Sequence, residues 1–162
     1  MLLNNIIEVV PEYSKHQYAN FPVQSLIENG SDELQSRILD NCKTKIVELS
    51  KDKFGSNVME KLVNHVSFEN LKQIVNEILA NSSNGIPKQL CEQGVNNIIG
   101  MAKHRYANYV LQSLIRRVEG TYRDQLVDLI AWPIRSLIQS RNNSTRVERE
   151  FAFISLANIE RL

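Results

Sequence analysis

The chain has 162 residues and a net charge of +1, with 43% hydrophobic and 23% charged residues. This length suits one domain with a buried core, and the near-neutral charge excludes a strong overall field toward nucleic acid or a membrane surface. Nucleic-acid binding would therefore have to come from local side chains. No apolar run reaches the ~20 residues that a membrane-spanning helix needs. The N-terminus lacks a signal-peptide pattern, so we expect a soluble, cytoplasmic protein with no membrane partner.

The sequence offers no catalytic or metal-binding pattern. Cys42 and Cys91 lie far apart, without a Cys-x-x-Cys pair or a histidine cluster, and we expect free thiols in a reducing compartment. Glycine-rich phosphate loops, zinc-ligand spacings and nucleophile elbows are absent. We therefore predict that the chain is not an enzyme and uses neither a metal nor another cofactor.

The hydrophobic pattern predicts helices in the first half of the chain and no strands. Apolar residues recur at helical spacing from Leu2 to Val10, and Pro11 is expected to close that segment. Gly30 suits a helix end, while Ser31 and Ser67 suit helix N-caps. The helices predicted after this segment cover residues 11–15, 18–29, 32–41, 44–50, 56–65 and 68–79.

The second half continues the helical pattern after a predicted loop. Asn81 to Pro87 is rich in Asn, Ser, Gly and Pro, which is typical of loops. Pro133 and the run Asn142 to Ser144 interrupt the pattern again near the C-terminus. The helices predicted after the loop cover residues 95–101 and 106–118 and begin again near residues 122 and 145. The prediction is an all-α fold built from helix triplets.

One motif occurs three times within this pattern. It reads Tyr-Ala-Asn-Phe-Pro-Val-Gln-Ser-Leu-Ile from Tyr18, Phe-Gly-Ser-Asn-Val-Met-Glu-Lys-Leu-Val from Phe54, and Tyr-Ala-Asn-Tyr-Val-Leu-Gln-Ser-Leu-Ile from Tyr106. Short helical units cannot bury an apolar face alone, so they stack into a solenoid. We predict a single domain with repeats at residues 11–42, 43–80 and 94–130, an inter-repeat loop at 81–93, and flanking capping helices at 1–10 and 131–162.

Each copy of the motif places polar or aromatic residues at offsets i, i+1 and i+4. On a helix, i and i+4 lie about 40° apart, so they can face one planar ligand edge while i+1 lies beside them. Asn with Gln suits the carbonyls and ring N–H of uracil, whereas Ser with Glu suits the N–H groups of guanine. The three sets are Asn20, Phe21, Gln24; Ser56, Asn57, Glu60; and Asn108, Tyr109, Gln112.

These motifs resemble the Pumilio (PUF) family of RNA-binding repeats, from about Val10 to Ile130. The resemblance implies a right-handed α-solenoid of three-helix repeats that correspond to the last three of a longer array. Family members run antiparallel to RNA, so Asn108, Tyr109 and Gln112 would contact the first U of 5′-UGU-3′. The middle set would contact G, and the first set the next U. The implied function is binding of a 3′-UTR element, with repression or decay of the message through recruited proteins.

Other side chains near the motif are expected to assist. Lys53 and Arg105 are candidate phosphate contacts, and Lys51, Lys103, Arg116 and Arg117 lie near the same helices. For His16 and His104, which precede matching positions, we expect structural or edge-stacking roles. Expected protein contacts are co-repressors on the convex face or the 81–93 loop, and self-association through the apolar N-terminal end.

The sequence leaves two points open. The alternative function is a helical-repeat protein scaffold without base-specific RNA binding, which should tolerate Asn108→Ala and Gln112→Ala. Pro22 stands where the family motif has an apolar residue, and we expect it to be tolerated only in the first turn of its helix.

Overall fold

The computed structural model describes residues 6–79 and 92–120, together with Arg123, Ala131, Arg135, Arg146 and Ala157. Several sequence predictions fall outside these residues: the start of the N-terminal helix, the 81–87 loop, Cys91 and the C-terminal cap.

Every regular element in the described residues is helical, which confirms the all-α prediction. Residues 6–8 are helical and lead into the first full element. The elements that follow are α1 (Val10–Ser14), α2 (Asn20–Asn29), α3 (Asp32–Cys42), a 3-10 turn (Lys43–Lys45), α4 (Ile46–Lys51), α5 (Gly55–His65), α6 (Phe68–Ile78), α7 (Glu92–Ala102) and α8 (Ala107–Arg117). None of the described helices is long and apolar enough to cross a membrane.

The helices form a stack of similar units. The first unit is α1 to α3, the second is α4 to α6, and α7 and α8 begin the third. The motif helices α2, α5 and α8 carry the repeated motif, and α5 packs between the other two. Val58, Met59 and Leu62 of α5 are fully buried in one continuous core. The architecture is a helical-repeat solenoid in which each unit buries its apolar face against the next.

Local chemistry explains the helix boundaries within the first two units. Ser31 Oγ accepts a hydrogen bond from the Leu34 amide at 3.3 Å, and Ser67 Oγ accepts one from the Asn70 amide at 3.3 Å. Both predicted N-caps are therefore present. Gly30 follows α2 in an extended conformation, and a Cβ there would lie 2.4 Å from the Leu26 carbonyl oxygen. A glycine is needed at this position for space rather than for an unusual φ.

The two prolines near the N-terminus both lie at helix starts. Pro22 is the third residue of α2, so its missing N–H falls in the first turn, where no intrahelical bond is lost. The expectation for Pro22 is confirmed. The expectation for Pro11 is wrong: the break before α1 falls at Val9, and Pro11 is the second residue of α1, where its fixed φ suits a helix start.

Candidate nucleic-acid interface

All nine candidate residues lie on the motif helices. In each helix they occupy the first turns, and the three helices are neighbours in the stack. Two side-chain contacts join adjacent motif helices directly. Lys61 of α5 lies 3.3 Å from Glu28 of α2, and Ser113 of α8 donates a hydrogen bond to Glu60 of α5 at 3.2 Å. The candidate sets therefore lie on adjacent, directly linked helices of the stack.

The turn before each motif helix is closed by a side-chain acceptor four residues before offset i. His16 Nδ1 accepts the amides of Tyr18 and Ala19, both at 3.2 Å. Asp52 Oδ1 accepts the amides of Phe54 and Gly55, both at 2.8 Å. This turn delays the helix, so α2 begins at Asn20 rather than at the predicted Tyr18.

His104 closes the third turn in the same way. Its Nδ1 accepts the amides of Tyr106 at 3.3 Å and Ala107 at 3.5 Å. The histidine must be neutral to accept at Nδ1. Partial burial, followed by the charges of Lys51 and Arg105, lowers the pKa of His104 below its usual 6.5, which favours that neutral form.

In the first unit, a chain of hydrogen bonds orients both amide side chains. Asn20 is 1% exposed, and its Nδ2 donates to the carbonyl oxygens of His16 at 2.8 Å and Gln17 at 3.1 Å. Because carbonyls only accept, the Asn20 amide nitrogen has to face them, and its Oδ1 faces Gln24. Gln24 Nε2 donates to that oxygen at 2.8 Å. The orientation of Gln24 is thus set by the backbone through Asn20.

The third unit repeats this chain and extends it. Asn108 Nδ2 donates to the His104 carbonyl at 2.7 Å, and Gln112 Nε2 donates to Asn108 Oδ1 at 2.9 Å. Arg116 Nη2 then donates to Gln112 Oε1 at 3.3 Å. Asn108 and Gln112 are 1% and 4% exposed, so the amides lie mostly beneath the surface.

The middle unit is built differently, as its composition predicts. Ser56 is buried, and its Oγ donates to the Lys53 carbonyl at 3.3 Å. Glu60 is half-buried, and its carboxylate accepts from Ser113 of the next motif helix. Carboxylate and hydroxyl oxygens leave this unit rich in acceptors, whereas the outer units present amides with both donors and acceptors.

The i+1 side chains are the exposed members of each set. Phe21 is 65% exposed and Tyr109 is 54% exposed, and Asn57 between them is also exposed. A large aromatic ring that is exposed to solvent contributes little to the stability of the fold. Two such rings lie here beside oriented amides, at matching positions of the first and third units. This arrangement offers flat faces for stacking and polar groups for edge recognition.

Two candidate cations lie in the turns before the motif helices. Lys53 Nζ is 5.1 Å from the centre of the Phe54 ring, and the Arg105 guanidinium is 4.8 Å from the centre of the Tyr106 ring. Both cations are exposed beside a helix N-terminus, where anions bind favourably. Arg117 instead donates to the Val66 carbonyl at 2.6 Å and ties the end of α5 to α8.

Two residues that matter here were not found from the sequence. Asp52 holds the same position in its motif as His16 and His104, four residues before the first residue of each candidate set. A comparison of that position across the three motifs would have identified Asp52. Ser113 bonds across units, and the motif alone carries no signal for that contact. Within the described residues, no group of three His, Cys, Asp or Glu side chains could hold a metal ion.

Comparison with known proteins gives consistent matches. A family model described as a Pumilio-family RNA binding repeat matches residues 10–41, 45–79 and 97–131. The chain is 30% identical over 130 residues to mRNA-binding protein PUF3 of Saccharomyces cerevisiae, covering 80% of this chain and 14% of that protein. It is 28% identical over 118 residues to Fem-3 mRNA-binding factor 2 of Caenorhabditis elegans, covering 70% of this chain and 18% of that protein.

Solved structures with the same architecture include RNA complexes. The chain superposes on PUF-8 in complex with PBE-RNA with a TM-score of 0.73 and 25% identity, covering 98% of this chain and 41% of that one. It superposes on the RNA-binding domain of yeast Puf5p bound to MFA2 RNA with a TM-score of 0.75, covering 99% of this chain and 39% of that one. At 13% identity the second match shows the fold alone. The chain spans less than a fifth of the two curated relatives and about two fifths of these solved chains.

Proposed function

The chain belongs to the Pumilio family of RNA-binding repeats, and from this premise we propose that it binds single-stranded messenger RNA at a 5′-UGU-3′ element. The observation that carries the proposal is the pairing of exposed Phe21 and Tyr109 with amides whose orientation the backbone sets. Of the two relatives described above, one is named an mRNA-binding protein and the other an mRNA-binding factor.

The outer units suit uracil. A glutamine amide held by its asparagine neighbour can present Oε1 as an acceptor and a second Nε2–H as a donor. Uracil offers the complement, a ring N3–H donor beside the O4 acceptor. Asn108, Tyr109 and Gln112 would contact the first U, and Asn20, Phe21 and Gln24 the next one. The aromatic ring in each set would stack on the base.

The middle unit suits guanine. The Watson–Crick edge of guanine carries two adjacent donors, N1–H and N2–H, which match the two oxygens of the Glu60 carboxylate. Ser56 Oγ would add an acceptor, and Asn57, which is exposed, would contact the base face. Adenine lacks this pair of donors, so it would leave at least one Glu60 oxygen without a base partner.

The expected affinity for three bases is modest. Stacking contributes about 1–3 kcal/mol per base, while association costs about 4–15 kcal/mol in lost freedom. Lys53 and Arg105 would add phosphate contacts that weaken with salt. A longer array would bind more tightly, and the solved chains described above are more than twice as long as this one. Repression or decay of the message would follow from proteins recruited to the bound array.

Fluorescence anisotropy at physiological salt tests the proposal, using a labelled UGUA-containing RNA and a UCUA control. We expect clear preference for UGUA and loss of binding in Asn108→Ala with Gln112→Ala. Equal affinity for both RNAs would contradict the base assignments and favour a protein scaffold. If neither RNA binds, the same assay on the chain fused to upstream repeats decides between a short array and a scaffold.

A further inference from the structure

The first and third units carry nearly the same motif but differ at offset i+8. That position is Glu28 in α2 and Arg116 in α8. Glu28 Oε1 lies 3.3 Å from Lys61 of the neighbouring helix. Arg116 instead turns toward its own unit and donates to Gln112 Oε1 at 3.3 Å. Two otherwise matching glutamines therefore have different surroundings.

The Arg116 contact determines which end of the Gln112 amide faces it. A guanidinium has five N–H donors and no acceptor, so the atom it meets must be the amide oxygen. Asn108 Oδ1 is an acceptor, so the atom it meets must be Nε2. Gln112 is therefore held at both ends of its amide, and it is 4% exposed.

An amide held in this way discriminates between the two pyrimidines. Uracil has an acceptor at position 4 and a donor at N3, while cytosine has a donor at position 4 and an acceptor at N3. Recognition of cytosine in the same pose requires the glutamine amide to turn over. In the third unit the turned amide would point its NH₂ group at a guanidinium and its oxygen at Asn108 Oδ1, and both contacts are unfavourable.

We propose that Arg116 is a positioning residue that makes the third unit more selective for uracil over cytosine than the first unit. This inference rests on the proposed function. In the first unit, a turned Gln24 amide meets the same oxygen-to-oxygen approach at Asn20, but Glu28, which pairs with Lys61, adds no donor that opposes the turned amide. The U-to-C preference at the base contacted by Gln112 therefore exceeds that at the base contacted by Gln24.

The test compares UGUA, CGUA and UGCA RNAs for the wild-type chain and Arg116→Ala, fused to upstream repeats if the short chain binds too weakly. We expect Arg116→Ala to lose about three- to tenfold in U-to-C preference at the first pyrimidine, which Gln112 contacts, since a partly exposed charged hydrogen bond is removed. The preference at the second pyrimidine, which Gln24 contacts, stays unchanged. Glu28→Ala is the matched control at the same offset in the first unit, and it leaves the preference at the Gln112 base unchanged.

Two further variants separate positioning from general charge. Arg116→Lys keeps a donor-only cation and restores part of the preference. Arg116→Glu presents only acceptors, favours the turned amide, and moves the ratio further toward cytosine. Thermal melts followed by circular dichroism check that each variant is folded.

The possible outcomes are distinct. Absence of UGUA binding by the wild-type fusion would overturn the proposed function itself. Binding with the same U-to-C preference in Arg116→Ala would overturn only the inference. Equal weakening for all three RNAs would also overturn it, because Arg116 would then act through the phosphate backbone.

Discussion

At the scale of single residues, His104, one of the acceptors that close the turns before the motif helices, connects stability to pH. His16, Asp52 and His104 bind backbone amides from equivalent positions. A carboxylate accepts at neutral and mildly acidic pH, whereas an imidazole accepts at Nδ1 only when neutral. The third turn therefore depends on a histidine that must stay neutral, and the lowered pKa of His104 favours that form.

His104→Asp tests this dependence by introducing the acceptor that the second unit already uses. Burial, Lys51 and Arg105 lower the pKa of His104, so the unfolded chain takes up the proton first as pH falls. The stability from neutral His104 is fully present above pH 6.5 and is lost as pH falls through the lowered pKa. We expect the Tm of wild type to drop more than that of His104→Asp between pH 7.5 and 5.5. Equal drops in thermal denaturation would contradict this role.

At the scale of helices, contacts between neighbouring motif helices organise the candidate groups of each unit. Ser113 is 2% exposed and belongs to α8, yet it bonds to Glu60 of α5. The carboxylate proposed to contact guanine is therefore held by the next unit rather than by its own. Lys61 and Glu28 make the corresponding link between α5 and α2.

Ser113→Ala is expected to weaken discrimination at the middle base. Without the 3.2 Å hydrogen bond, the Glu60 carboxylate loses one constraint, worth about 1.5–3 kcal/mol for a bond to a charged group. We expect the preference for UGUA over UAUA to fall several-fold in anisotropy titrations, while the preference at both pyrimidines is retained. Ser25→Ala is the control, because Ser25 has the same offset in the first unit and is exposed. An unchanged preference in Ser113→Ala would exclude the role.

At the scale of the whole molecule, α5 is the element on which both neighbours depend. It packs against α2 on one side and α8 on the other, and its apolar residues are fully buried. Damage to this helix should therefore lower the stability of the whole described stack, because each unit buries its apolar face against the next.

Leu62→Ala is expected to reduce the free energy of unfolding by about 2–5 kcal/mol, since it removes fully buried methyl groups and leaves a cavity. Urea denaturation followed by circular dichroism measures the change. Asn64→Ala, at an exposed position of the same helix, should change stability by about 0.5 kcal/mol or less. A similar loss in both variants would show that α5 is not central to the core.

Cys42 shows how this core affects a reactive group. Its thiol is fully buried, and burial raises its pKa to about 12. The sequence suggested only a free thiol, and Cys42 is free in the structure. The packing of α3 explains why this thiol is also protected from reagents that need the thiolate.

The sequence by itself determined the helical class, the repeated motif, the N-caps at Ser31 and Ser67, and the placement of the motif on neighbouring helices. These features depend on offsets of one to four residues, and such offsets have the same geometry in any helix. Only the tertiary structure decided that Ser113 bonds to Glu60, and only the folded side chains showed Arg116 on Gln112. The contact between Ser113 and Glu60 depends on how adjacent units pack. The contact between Arg116 and Gln112 depends on which of several acceptors within reach the long arginine side chain bonds.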